Sequence, residues 1–284
     1  MDVPFRLVDV FTPTPLSGNQ LCVVPDPLEL DDATMQALAK EIGFSETTFV
    51  TEVACDRYAM RIFTPDAELP FAGHPTLGTA FVLVSEDRVT SPGTQTTAAG
   101  EVPVEVDLGS NQAWMTQLPV EFGRVFEDRA LIARAIGLGL DDLEPDLPVQ
   151  TVTTGLLWTI VPLRDVERLS RAQRDGRALE QTVAISGDEG LYLFAVTDDG
   201  ATARMFDAGH GIGEDPATGS AAGPLGAYLA EHGLAGMPGS ITVRQGEVVG
   251  RPSELHVEVG NEVGGWRVRV GGGVHVVGSG AFRL

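Results

Sequence analysis

The chain has 284 residues, 43% hydrophobic and 21% charged, and this length suits two domains of about 140 residues each. Its formal net charge of −21 repels phosphate backbones and anionic lipid surfaces, and no apolar stretch reaches the ~18 residues of a membrane span. Nucleic acid and membrane are therefore excluded as expected partners, and the cytoplasm is the expected location.

The two cysteines, Cys22 and Cys55, form no CxxC pair, and no histidine cluster has the spacing of metal ligands. We therefore expect no disulfide, no metal and no cofactor.

Short β-type runs dominate the first half of the chain. Apolar and polar residues alternate in runs that predict strands at 5–10, 22–24, 47–53, 58–64, 102–108 and 113–118. Helical periodicity predicts helices at 31–42 and 75–86. Acidic residues cap the start of the first helix, and Gly43 ends it.

The second half has the same character. Strands are predicted at 150–161, 191–196, 203–206, 241–245, 255–259 and 266–277, and helices at 128–136 and 221–232. Pro224 takes about the fourth position of the last helix if Ser220 is the N-cap; otherwise it predicts a kink.

An internal repeat links the two halves. Arg-Ile-Phe at 61–63 leads through a loop into Gly-His-Pro at 73–75, and Arg-Met-Phe at 204–206 leads through a loop into Gly-Ser-Ala at 219–221. The copies are offset by 143 residues at the arginine and 146 at the glycine, about half of the chain. The repeat predicts two similar halves, each with a glycine-rich helix that strands can enclose closely.

The two repeated loops predict an anion site. Each opens a helix, and a helix start offers free backbone N–H groups and the positive end of the helix dipole. If a pseudo-twofold axis relates the halves, the two helix starts face each other. Together they would then hold a substrate carboxylate.

Three side chains near these loops could carry proton chemistry. His74, between Gly73 and Pro75, titrates near neutrality. Glu46 opens a predicted strand among apolar neighbours, where desolvation would raise its pKa toward a range useful for proton transfer. Asp215 precedes the second helix start. Each also has a purely structural explanation: a histidine bonded to backbone, a solvent-facing glutamate and a helix-entry aspartate.

Other polar residues near the loops have simpler interpretations. Ser220 suits a helix N-cap and Asn19 a turn, while His210 lies close to the second loop in sequence. A serine hydrolase is disfavoured because the chain lacks a G-x-S-x-G elbow around Ser220. A paired-carboxylate glycosidase is disfavoured because only 6% of residues are aromatic.

The motifs together resemble those of the PhzF-like family of phenazine biosynthesis, within the diaminopimelate-epimerase fold. The matching segments are 8–12 with 18–19, 43–47, 61–76, 214–221 and 245–253. The resemblance implies an α+β protein of two pseudo-symmetric domains, each a barrel-like β-sheet wrapped around a central helix, with the active site in the interdomain cleft. It also implies a homodimer. The domains are predicted at 1–118, completed by a C-terminal strand at about 277–284, and at 119–276.

The resemblance also implies roles for individual residues. Glu46 would act as the acid/base, while His74 and Asp215 would serve with it as catalytic residues that position the substrate. The substrate-binding set would be Gly73, Ser220, Gly219, Asn19 and Ser45.

In the epimerases of this fold two cysteines transfer the proton, and the matching places here are Ala72 and Thr218. A two-thiol mechanism is therefore not expected. The sequence predicts a cofactor-independent isomerase that moves a proton between carbons of a small, carboxylate-bearing substrate, as in the family's isomerisation of trans-2,3-dihydro-3-hydroxyanthranilate. An epimerase or racemase of an amino-acid-like substrate and a non-catalytic small-molecule binding protein are the alternatives.

Overall fold

The computed structural model describes residues 1–26, 29–97, 100–209 and 213–284. In this part of the chain it is an α+β protein, which confirms the predicted fold class. The strands of the first half are β1 Asp2–Val10, β2 Asn19–Val24, β3 Glu46–Val53, β4 Arg57–Phe63, β5 Glu68–Leu69, β6 Gly93–Thr97, β7 Gly100–Asp107 and β8 Gln112–Thr116. Those of the second half are β9 Glu121–Val125, β10 Gln150–Thr153, β11 Leu157–Pro162, β12 Gly190–Thr197, β13 Gly200–Asp207, β14 Glu214–Asp215, β15 Gly239–Gln245, β16 Ser253–Glu262 and β17 Gly265–Arg283.

Six α-helices lie in the described part of the chain: α1 Asp32–Ile42, α2 Gly73–Ser85, α3 Arg129–Ala135, α4 Val166–Arg171, α5 Gly176–Ser186 and α6 Gly219–Glu231. Helix α1 begins one residue after the predicted start and ends at the predicted residue. Its N-cap Asp31 accepts a hydrogen bond from the Thr34 N–H, and Gly43 ends it in the left-handed conformation at φ 67°. None of the described helices is long and apolar enough to cross a membrane.

Seven strands of the first half and the C-terminal strand β17 form a closed ring. Its neighbours are joined in the order β1, β2, β3, β4, β6, β7, β8 and the C-terminal strand β17, which returns to β1. Helix α2 lies inside this barrel, where every residue from Gly73 to Leu83 is buried. A helix that is apolar on all sides is stable in such a place because strands surround it.

The second half repeats this order around α6. Strands β10, β11, β12, β13, β15, β16 and β17 are joined in turn, with a parallel pair at β11–β12 and another at β13–β15, as at β2–β3 and β4–β6. Strand β17 pairs with β8, and β9, which follows β8 in the chain, pairs with β10. All of α6 from Gly219 to Ala230 is buried.

Strand β17 belongs to both barrels. Its first part, 265–271, pairs with β16, and its last part, 274–283, pairs with β1. The chain therefore ends by closing the sheet with which it begins.

Several elements differ from the sequence predictions. The predicted strand at 150–161 is a hairpin of β10 and β11, since Gly155 takes φ +131° at the turn, a conformation that suits glycine. Helices α4 and α5 were not predicted. Helix α6 begins at Gly219 with Thr218 as N-cap, so Ser220 is not the N-cap, and the helix continues through Pro224.

Candidate active site

A cleft lies where the starts of α2 and α6 meet. Its walls come from both halves of the chain. The lining residues are Glu46, Leu69, Ala72, Gly73, His74, Leu156, Trp158, Glu189, Met205, Asp207, Asp215, Thr218, Gly219 and Ser220. Glu46, His74, Asp215, Gly73, Gly219 and Ser220 of the predicted set thus share one cavity.

The two helix starts are in direct contact. A Cβ atom added at Gly73 would lie 2.6 Å from the Ser220 backbone nitrogen and 2.7 Å from the Gly219 carbonyl carbon. Only glycine fits here without separating the helices. Free backbone N–H groups of two helices are therefore concentrated at one point of the cleft, as the repeat predicted.

His74 and Glu46 face each other across the first barrel's side of the cleft. His74 is the second residue of α2 and Glu46 the first of β3, and both are buried. His74 Nε2 lies 3.3 Å from Glu46 Oε2. Burial lowers the pKa of His74 to about 3, against a smaller opposing effect of the Gln20 backbone, so the imidazole is neutral at pH 7.

Asp215 enters the cleft from the second half, at the end of β14. Burial raises the pKa of Asp215 to about 7, opposed by hydrogen bonds from Thr218 and Asn19 and reinforced by the charge of Asp207. Thr218 Oγ1 donates to Asp215 Oδ2 at 2.6 Å, and Asn19 Nδ2 donates to Oδ1 at 2.7 Å. The carboxyl group is therefore held near its point of half-ionisation at neutral pH.

Asn19 connects the polar groups of the two halves, although the turn interpretation suggested nothing beyond a local role. Its Nδ2 also lies 3.1 Å from His74 Nδ1 and donates to the Ala217 carbonyl at 3.0 Å. Because the Ala217 carbonyl can only accept, it fixes the amide's orientation, and Ser45 Oγ then donates to Asn19 Oδ1 at 3.0 Å. Asn19 and Ser45 thus support the cleft from behind and are not among the residues that line it.

Ala72 and Thr218 are the N-cap residues of α2 and α6, and both line the cleft. The two places that the family resemblance matches to the epimerase cysteines therefore lie in this cavity, and neither is a cysteine here. Cys22 is buried on β2, where burial raises the pKa of its thiol to about 12.

Several lining residues were missed by the sequence analysis. Leu156, Trp158 and Met205 add an apolar wall, and Glu189 and Asp207 add two acids. Most of them lie on or beside ordinary β-type runs and belong to no motif, but Met205 is part of the repeated Arg-Met-Phe segment. The repeat carried the one usable signal, since it ends immediately before Asp207. His210 lies outside the described residues.

All the charged side chains in the described lining of the cleft are acidic. Its described lining contains four carboxyl groups, from Glu46, Glu189, Asp207 and Asp215, and neither lysine nor arginine. An anionic group of a substrate could therefore be met in this lining only by the backbone N–H groups of the helix starts and by neutral donors.

The protein consists of two similar barrels whose central helices, α2 and α6, begin at a shared cleft. This architecture defines the class of epimerase-like folds. Residues 8–280 match the family model for phenazine biosynthesis-like proteins. The trans-2,3-dihydro-3-hydroxyanthranilate isomerase of Pseudomonas aeruginosa is 36% identical over 283 residues, covering 98% of this chain and 96% of that protein. An uncharacterized isomerase of Clostridium acetobutylicum is 35% identical over 267 residues, covering 89% of this chain and 88% of that protein.

The architecture agrees with a solved structure as well. A PhzF-family protein of Bacillus anthracis superposes with a TM-score of 0.89 at 26% identity, with 100% of both chains covered. The chain belongs to the phenazine biosynthesis-like (PhzF) family. It is an enzyme of the isomerase class, as its named relatives are.

Proposed function

We propose that the protein isomerises a small, carboxylate-bearing molecule by moving a proton between two of its carbons, with Glu46 as the single acid/base. The observation that carries the proposal is the buried contact of Glu46 with His74 in a cleft whose thiol positions hold Ala72 and Thr218. In the first step the Glu46 carboxylate removes a proton from carbon, and the electron pair of the broken C–H bond shifts an adjacent double bond. In the second step the Glu46 carboxyl group returns the proton to the distal carbon, so the product has the formula of the substrate.

The neighbouring groups would orient the substrate for this transfer. The helix starts at Gly73 and Gly219 would hold its carboxylate, and Ser220 would add a hydroxyl donor beside them. A proton on Nε2 of the neutral imidazole would face Glu46 Oε2, which lies 3.3 Å away. Asp215 would bind a polar group of the substrate from the opposite wall.

The substrate class follows from the shape and charge of the cleft together with the relatives. The apolar wall of Leu156, Trp158 and Met205 suits a hydrocarbon ring, and an amino group would be attracted to the acidic wall of Glu189 and Asp207. Trans-2,3-dihydro-3-hydroxyanthranilate, the compound in the name of the Pseudomonas aeruginosa relative, combines such groups. We propose a substrate of this type.

The Glu46→Gln variant tests the acid/base role. We expect proton transfer from the dihydro-hydroxyanthranilate to fall by roughly 10²- to 10⁴-fold, because an amide cannot take the proton. The measurement is deuterium incorporation from D₂O, followed by mass spectrometry and NMR to locate the label. Glu52→Gln, on the same strand but exposed, is the matched control and should retain full activity.

Each outcome separates the alternatives. Retained incorporation in Glu46→Gln would refute the single-glutamate mechanism, and its loss in Asp215→Asn alone would transfer the acid/base role to Asp215. Label returned to its original carbon with inverted configuration would indicate an epimerase. Tight binding without label in any bound ligand would indicate a binding protein.

A further inference from the structure

We infer that Gln245 is a positioning residue whose side-chain amide directs the hydroxyl proton of Thr218 onto Asp215. Gln245 lies on β15, outside the cleft lining, and is only 1% exposed. The inference depends on the proposed function only in that Asp215 is taken to contact the substrate.

The Gln245 amide has a fixed orientation. Its Oε1 accepts hydrogen bonds from Tyr192 Oη at 2.9 Å and from the Thr218 backbone N–H at 3.2 Å. Because a backbone N–H can only donate, the atom opposite it must be the amide oxygen. The amide nitrogen therefore faces the other way, where it donates to the Asp215 carbonyl at 2.8 Å and to Thr218 Oγ1 at 3.1 Å.

This orientation determines which way the Thr218 hydroxyl points. A hydroxyl has one proton, and the Gln245 N–H occupies a lone pair of Thr218 Oγ1. The hydroxyl proton is then directed to Asp215 Oδ2, 2.6 Å away, while Asn19 donates to Oδ1. Both carboxylate oxygens receive a hydrogen bond, which favours the ionised form of a buried acid.

The charges around Asp215 give the hydrogen bond from Thr218 an influence on the pKa of Asp215. Asp207 on β13 acts on Asp215 as a like charge, Glu46 on β3 and Glu189 before β12 line the same cleft, and the His74 ring on α2 is neutral. No described lining residue is a lysine or arginine. Hydrogen bonds from Thr218 and Asn19 are the effects that hold down the pKa of Asp215 against burial and Asp207. Loss of the Thr218 hydrogen bond should therefore move the pKa further above about 7.

The test is a ¹³C NMR titration of the Asp215 carboxyl group in the ligand-free protein, with the signal assigned by Asp215→Asn. We expect Gln245→Met, which removes the amide but keeps the length of the side chain, to raise the titration midpoint by about one pH unit. Thr218→Val should raise it similarly. In the Thr218→Val background, Gln245→Met should add no further shift because the hydroxyl is gone.

Gln245→Glu is a second, isosteric variant if the methionine variant does not fold. Its carboxylate would accept the Thr218 hydroxyl proton and add a negative charge, so the midpoint should rise at least as much as in Gln245→Met. Gln95→Met is the matched control, because Gln95 is also buried and lies on β6, the counterpart of β15 in the first barrel. It should leave the midpoint unchanged.

An unchanged or lowered midpoint in the folded Gln245 variants would overturn the inference, as would an additional shift from Gln245→Met in the Thr218→Val background. The titration requires no substrate, so its result is independent of the proposed reaction. A raised midpoint in a protein that incorporates no deuterium would support the role of Gln245 and refute the isomerase mechanism.

Discussion

Burial shifts the pKa values of His74 and Asp215, on opposite walls of the cleft, in opposite directions. At pH 7 His74 is neutral, because burial lowers the pKa of its ring to about 3, while the pKa of Asp215, raised to about 7, leaves its carboxyl group partly protonated. Both shifts have the same physical cause, since removal from water disfavours whichever form carries the charge. The cleft thus contains a neutral hydrogen-bonding group next to Glu46 and a titrating acid opposite it.

The raised pKa of Asp215 should appear in the pH dependence of stability. Below pH ~4 the carboxyl group is protonated in both folded and unfolded chains, whereas between pH ~4 and ~7 it ionises more readily when unfolded. The wild-type protein therefore loses stability over this window relative to Asp215→Asn, which does not titrate there. We expect the variant to gain roughly 2 to 4 kcal/mol relative to wild type between pH 4 and pH 8.

Urea unfolding at pH 4, 6 and 8 measures this difference. Asp199→Asn is the control, because the pKa of Asp199 is lowered to about 2 by its hydrogen bond with Arg244 and does not titrate in this window when folded. A variant-minus-wild-type difference for Asp215→Asn that stays flat from pH 4 to pH 8 would contradict the assigned pKa.

Helices α2 and α6 could be predicted from the sequence, but the direct contact between their backbones could not. The repeat placed glycine at both helix starts, and the structure shows that their backbones touch there. Helix α1 could be predicted fully because its caps, Asp31 and Gly43, are local signals. Helix α4 also has an aspartate N-cap, but its 6 residues are too few to show a periodic apolar face. Helix α5 has 11 residues, as α1 does, with Asp175 as N-cap and Gly187 at its end, so the local signals were present although the helix was not predicted.

Gly73→Ala tests the contact between the helix starts. Its Cβ would lie within 2.8 Å of backbone atoms of Gly219 and Ser220, so the helices must separate. We expect a loss of roughly 1 to 3 kcal/mol in the free energy of unfolding and a weakened affinity for carboxylate ligands. Thermal unfolding and calorimetric titration measure the two effects. Gly260→Ala on β16 has nothing within 4 Å of the added Cβ and should be near neutral; equal behaviour of both variants would refute the close approach.

At the scale of the whole molecule, Arg251 joins the two halves behind the cleft. Its Nη2 lies 2.5 Å from Asp9 Oδ1 and donates to the Ser17 carbonyl, and its Nε donates to the Gly18 carbonyl at 2.9 Å. Gly18 precedes Asn19, so this ion pair holds the segment that reaches His74 and Asp215. Asp9 is only 2% exposed, and Arg251 is its ion-pair partner.

Arg251→Met should destabilise the protein by about 3 to 5 kcal/mol, because it leaves the Asp9 carboxylate buried without its cation. Adding Asp9→Asn should recover part of the loss. Arg244→Met, which breaks an exposed pair with Asp199, should cost no more than about 1 kcal/mol. Urea denaturation of the wild type and of the three variants gives the four free energies of unfolding. A loss for Arg251→Met as small as that for Arg244→Met would show that the ion pair does not hold the halves together.

The division of the chain at 118 and 277, the homodimer and the roles of the site residues stay predictions. The sequence by itself determined the duplication, most of the strands and the caps of α1, because repeats, alternation and caps can be read along the chain. The family resemblance added the α+β class and joined the candidates Glu46, His74 and Asp215 into one site. Only the tertiary structure decided that Gly73 and Gly219, 146 residues apart, touch, and that the single strand β17 belongs to both barrels. It also decided which plain strand residues line the cleft. Such contacts depend on how two barrels pack, and no local pattern encodes that packing.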